Sequence, residues 1–165
     1  MPTAPDSADA GTAGNGLPGP RLVVHVNGLE SWPGVELSPA AVDRAARAAL
    51  DTVNPGLTGE HSISFVDDDE ISRLNKEWLG HDGATDVIAF SLGSSESLLG
   101  DVYISVETAL RNAAGLGVSP SEELTRLVIH GTLHVLGYDH PSGADRESSE
   151  MYQLQEELLR RLGSG

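Results

Sequence analysis

"HGTLHVLGYDH", residues 130–140, carries three of the chain's six histidines, His130, His134 and His140, in the spacing H-x-x-x-H-x-x-G-x-x-H. The segment leading through it is apolar on most sides: Leu124, Leu127, Val128, Ile129, Leu133, Val135 and Leu136. That pattern predicts a largely buried helix over about 120–136. Ser119-Pro120-Ser121-Glu122 opens it as a capping box with proline at the first helical position. Residues four apart lie on one helix face, one turn from each other, so the rings of His130 and His134 can converge on one ion. Gly137 permits the left-handed turn that ends a helix and lets the chain return His140 toward the same point. Three histidines leave a position open for water or substrate, as catalytic zinc sites do, and His130 is the central ligand of the set. Isolated histidines are more often satisfied by ordinary hydrogen bonds, and His25, His61 and His81 are read that way. Asp139 is expected to orient a ligand histidine from behind.

The residue after the first histidine narrows the chemistry. Zinc proteases with this spacing place a glutamate there as general base. Here it is Gly131, which moves no proton. A glycine inside a helix costs roughly 1 kcal/mol against alanine, so close backbone packing or room for substrate is expected in return. The ligand set survives and the usual peptide-hydrolysis mechanism does not.

The rest of the chain sets bounds on the function. Its 165 residues suggest one domain able to bury a real core. A hydrophobic content of 39% with 21% charged residues fits a soluble globular protein. No apolar run is long enough to span a membrane, and no basic-then-apolar leader opens the chain. The absence of cysteine removes disulfides, thiolate ligands and a thiol nucleophile, and a cytoplasmic location is expected. The net charge of -15 repels nucleic acid on average, so any nucleic-acid function needs a local cation or a metal ion.

Residues 1–20 are mostly Pro, Gly, Ala, Ser, Thr and Asp and are expected to form a disordered tail. Residues 21–165 then form a single metal-dependent hydrolase domain. Strands are predicted at 21–26, 61–66, 85–92 and 100–106. Helices are predicted at 38–50 with Ser38 as N-cap, from the acidic run Asp67–Glu70 through Ile71, Leu74 and Trp78, at 107–117, and from near Ser142 through Met151, Leu154, Leu158 and Leu162. Strands interleaved with helices in this way imply an α+β fold, with a single mixed sheet of about four strands packed by helices.

On these residues the chain resembles the YbeY family of metal-dependent endoribonucleases of ribosomal RNA maturation. The family signature "HGxLHLxGYDH" is similar to "HGTLHVLGYDH" here. A second block, "LNxxYRxxDxPTDVLSF", is similar to "LNKEWLGHDGATDVIAF" at 74–90, and a third, "LGDIxIS", to "LGDVYIS" at 99–105. The resemblance implies a zincin-like fold and a histidine-bound Zn2+, with nickel or copper able to use the same ligands. It further implies single-strand-specific RNA cleavage in ribosome biogenesis, with ribosomal RNA and ribosomal particles as partners. It carries the ligand role onto His130, His134 and His140.

In the second block the family's tyrosine, arginine, proline and serine fall on Trp78, Leu79, Ala84 and Ala89. A leucine makes no phosphate contact. Lys76, three residues before it, and Arg126, one turn before His130, are the candidates for supplying that charge, with salt bridging as the alternative. Asp86 and Asp101 are candidates to face the site from strand ends, with capping or loop hydrogen bonds as the alternative. Two other functions stay open: a metallohydrolase acting on a peptide or small molecule, and a non-catalytic ribosome-assembly factor that keeps the metal site.

Overall fold

The computed structural model describes residues 21–94 and 96–163. The tail expected at 1–20 lies outside the described residues. Four strands form one mixed sheet: β1 (Leu22–Asn27), β2 (Thr58–Val66), β3 (Val87–Ser91) and β4 (Ser97–Ser105). Their order is β1-β2-β4-β3, with β1, β2 and β4 parallel and β3 an antiparallel edge. Five α-helices accompany it among the described residues: α1 (Pro39–Val53), α2 (Asp68–Leu79), α3 (Val106–Leu116), α4 (Pro120–Val135) and α5 (Glu150–Gly163). None of these helices is long and apolar enough to cross a membrane.

Strand alternation divides the apolar residues between two faces. Ile63, Phe65, Val87, Ala89, Val102 and Ile104 join the main core with α1, α4 and α5. Ile88, Phe90 and Tyr103 point the other way, where Ile71 and Leu74 of α2 cover them. The Asp67 side chain accepts from the Glu70 N–H (2.8 Å) and starts α2. Asp68 accepts from Ser105 Oγ and Thr108 Oγ1, both at 2.6 Å, and from Arg111, and so ties α2 to α3. The acidic run is therefore helix-start and helix-tethering chemistry.

Helix α4 lies at the centre of the main layer. Ser119 accepts from the Glu122 N–H and Pro120 occupies the first turn, which is half of the predicted capping box, while the Glu122 carboxylate accepts from Arg126. Leu124, Val128, Ile129 and Leu133 are fully buried. The helix touches the sheet so closely that a Cβ on Gly131 would stand 2.6 Å from Val102 Cγ1. From the facing strand, a Cβ on Gly100 would stand 2.5 Å from Val135 Cγ1 and 2.7 Å from His61 Nδ1. Of the two reasons expected for Gly131, the structure shows the first, close backbone packing.

His61 is buried beneath this contact. Thr132 commits its hydroxyl proton to the Val128 carbonyl (2.7 Å), so at 3.0 Å its oxygen accepts from the His61 Nε2–H. His61 Nδ1 has no hydrogen-bond partner among the described residues. Burial pushes the His61 pKa down to about 4.

Several boundaries differ from the sequence reading. β2 begins at Thr58 rather than at 61, β4 at Ser97 rather than at 100, and β3 spans only Val87–Ser91, after which the Leu92 and Ser94 N–H groups donate to the Leu99 and Ser97 carbonyls across the hairpin. The last helix begins at Glu150, not near Ser142. Residues 141–149 offer no helically spaced apolar face to bury; they make a single 3-10 turn at Gly143–Asp145, and the Ser149 hydroxyl then accepts from the Tyr152 N–H to cap α5. Trp78 is 64% exposed rather than part of a buried stripe, because β3, which it meets edge-to-face through Phe90 at 6.0 Å, is the rim of the sheet.

Two measurements check this packing. Gly131→Ala gains helix propensity and loses more by overlap with the stiff, fully buried Val102. A net loss of about 1–2 kcal/mol is expected in urea unfolding. His61 binds its proton more weakly in the folded chain than in the unfolded one. Its stabilising contribution is therefore complete above pH 6.5 and is lost as pH falls toward 4. Between pH 7 and 4.5 the wild type should lose on the order of 2–3 kcal/mol more than His61→Gln.

Candidate metal centre

Residues 130 and 134 sit one turn apart on one flank of α4, and the turn that ends the helix supplies the third histidine. Gly137 takes φ 98°, a conformation open to glycine, and the Gly137 and Tyr138 N–H groups donate to the carbonyls of His134 and Leu133, both at 3.0 Å. This is a Schellman ending. It reverses the chain so that His140 faces back toward the helix. The ring centroid of His140 stands 5.2 Å from that of His130 and 5.3 Å from that of His134. The three rings each offer one nitrogen within a group spanning no more than 4.8 Å.

Each ring is held from behind by a carbonyl oxygen. His130 Nδ1–H donates to Gln155 Oε1 at 2.7 Å, His134 Nδ1–H to the Tyr138 carbonyl at 3.0 Å, and His140 Nδ1–H to the Pro141 carbonyl at 3.1 Å. Carbonyls only accept, so all three protons are assigned to Nδ1 and all three Nε2 atoms are left with a lone pair. His130 Nε2 and His134 Nε2 face each other at 3.0 Å. Two bare lone pairs at that distance repel unless a cation lies between them. Imidazole nitrogens bind zinc at roughly 2.0–2.1 Å, so both are within reach of one ion. Burial pushes the His130 pKa down to about 4 against the raising effect of Gln155, with the His134, Arg146 and His140 charges lowering it further. Burial likewise lowers that of His134. Both rings are neutral at pH 7, the form that binds a metal. The donor set fits one borderline divalent cation.

The other candidates fall in different places. Asp86 lines a cleft of about 600 Å³ beside His130, where its carboxylate accepts from Asn112. Arg126 lines the same cleft, yet its Nε, Nη1 and Nη2 already donate to Glu156, Glu123 and Glu122. Asp139 accepts from the backbone N–H of His140 at 2.8 Å. It shapes the turn, and the ring-orienting role expected of it belongs to the three carbonyls. Asp101 accepts from the Tyr103 hydroxyl on the sheet face that α2 covers, away from the histidines. Lys76 lies on α2 itself, exposed and 3.8 Å from Asp82. Neither Asp101 nor Lys76 is brought into the histidine group.

Gln155 went unnoticed in the sequence. Its signal was present: four residues after Met151 on the buried stripe of α5, a polar side chain stands where the pattern calls for an apolar one, and it is 2% exposed.

A buried helix and a glycine turn that aim three imidazole lone pairs at one point, backed by a mixed sheet, define a zincin-like α+β protein able to hold one metal ion. Residues 35–163 match the family model described as Endoribonuclease YbeY. The chain belongs to the YbeY family. An endoribonuclease YbeY of Desulforamulus reducens is 39% identical over 152 residues, covering 86% of this chain and 98% of that one. One from Salinispora tropica is 38% identical over 141 residues, covering 76% and 88%. A chloroplastic relative from Arabidopsis thaliana is 46% identical over 111 residues, covering 64% of this chain and 19% of that longer one. The solution structure of TM1509 from Thermotoga maritima aligns with a TM-score of 0.56 at 25% identity, covering 86% of this chain and 90% of that one.

Gln155→Leu keeps the packing and removes the acceptor that fixes the His130 tautomer. Zinc affinity, read by competition with a chromophoric chelator, is expected to fall 10–100-fold with the far-UV circular dichroism unchanged.

Proposed function

We propose that this protein is a metal-dependent endoribonuclease that cuts single-stranded RNA during ribosomal RNA maturation in the cytoplasm. His130, His134 and His140 are its zinc ligands, and the single domain begins near residue 21. Ribosomal RNA and ribosomal particles are its partners. The observation that carries this reading is the set of three Nε2 lone pairs converging in a YbeY-family chain whose site helix has glycine where a protease has its base.

A divalent ion held there supplies Lewis acidity toward a phosphoryl oxygen. The chain's own contribution is orientation. Gln155 and the Tyr138 and Pro141 carbonyls keep the protons on Nδ1, and burial keeps His130 and His134 neutral. The cleft beside His130 gives a strand somewhere to lie. Gly131 provides no base, and RNA compensates for this because it carries its own nucleophile, the 2′-hydroxyl. A peptide carries none, so the site suits RNA better than protein.

The test sets tag-free protein, with a His130→Ala control, on a ribosomal RNA precursor and on casein. Metal-dependent RNA cuts that disappear in the control are expected, and 2′,3′-cyclic phosphate ends on the products would identify attack by the 2′-hydroxyl. Casein cleavage would overturn the reading in favour of a peptidase. Binding to ribosomal particles without any cleavage would favour the assembly factor, the reading to which Leu79 lends support.

A further inference from the structure

An acidic chain that works on RNA needs a cation close to its site, and this one has ten bases in all. Three of them, Arg111, Arg126 and Arg146, line the cleft that opens beside His130. Two are already committed. Arg126 is held by three carboxylates, and Arg111 donates to Asp68 at 2.7 Å and to Thr108 at 2.9 Å. The Arg146 guanidinium has no hydrogen-bond or ion-pair partner among the described residues, although Glu147 lines the same cleft.

The backbone beneath that side chain is fixed. The Arg146 N–H donates to the Gly143 carbonyl at 3.2 Å. The Arg146 carbonyl accepts from the Ser149 N–H at 3.1 Å and from the Ser149 hydroxyl at 2.6 Å. Ser149 is the residue that caps α5, so Arg146 is anchored to the helix that carries Gln155. It stands between the two segments that position the site, the turn bearing His140 and the helix that orients His130. Its side chain lines the same cleft as His130 and Gln155. An arginine fork matches the paired oxygens of a phosphate, and a fixed base reduces the ordering cost of that contact.

We propose that Arg146 is a substrate-binding residue that pairs with a backbone phosphate of the RNA strand lying in this cleft, beside the phosphodiester presented to the three histidines. The assignment rests on the endoribonuclease reading above. It gives a local source of attraction to a chain whose overall charge repels its substrate. It also places that source in the loop between His140 and α5, away from the helix where Leu79 stands.

The experiment measures the affinity of the full, zinc-loaded chain for a short 2′-O-methyl single-stranded oligonucleotide across a salt series, alongside cleavage of the unmodified strand. Arg146→Ala is expected to weaken binding by about tenfold or more and to reduce the slope of log K against log salt by about 0.7, the loss of one phosphate contact on a single strand. Its cleavage defect should be mainly in KM. Arg146→Lys should keep the slope with intermediate affinity, since it retains the charge and loses the fork. Arg21→Ala, which removes the same charge beside β1 at the opposite edge of the sheet, should match the wild type. If Arg146→Ala binds with the affinity and slope of Arg21→Ala while the wild type cleaves RNA, the Arg146 assignment is overturned and the endoribonuclease reading stands. A wild type that neither binds nor cuts the strand overturns both.

Discussion

Helix α4 and strand β4 interlock at two glycines, Gly131 of the helix receiving the Val102 side chain and Gly100 of the strand receiving that of Val135, and much of the molecule is arranged around that approach. At 100° per residue, setting residue 131 against the sheet turns His130 and His134 to one flank. The same rotation aims Thr132 at His61 below. A wider spacing would part the His61–Thr132 pair and shift both ligand rings relative to Gln155, which reaches His130 from a different helix. The glycine that denies the site a general base is thus the residue that lets the site helix sit where its histidines are useful. Packing and chemistry make the same demand at one position.

Local signals were legible from the sequence because they act over a few residues. The capping box, the glycine turn and the histidine spacing predicted α4 and the return of His140. What was not legible depended on partners distant in sequence. Glu156, which helps hold Arg126, lies thirty residues beyond it, and no local pattern announces that pairing. Strand alternation separates Asp101 from Val102 and Ile104, yet only the tertiary fold says which face α4 occupies. The start of α5 was misplaced because a cap-like Ser142 precedes a stretch with nothing to bury, whereas apolar spacing begins only at Met151. Gln155 could have been found by asking why a glutamine interrupts that spacing.

The distribution of charge follows a simple division. Exposed cations such as Arg73 and Arg161 pair with carboxylates one turn away on their own helices, where solvent screens the attraction. Arg126, mostly buried among Glu122, Glu123 and Glu156, ties α4 to α5 along the cleft beside His130. Excess acid elsewhere sets a long-range barrier to polyanions that salt would lower.

The three bonds that orient the histidine rings differ in what a mutation can do to them. Tyr138 and Pro141 contribute main-chain carbonyls, which every amino acid possesses. Those two bonds are encoded by the path of the backbone and persist through almost any side-chain replacement that preserves the turn. The third depends on the identity of one side chain, Gln155. Of these three bonds, only the one to His130 can therefore be lost by replacing the partner's side chain alone, and that side chain stands on a helix that contributes no ligand.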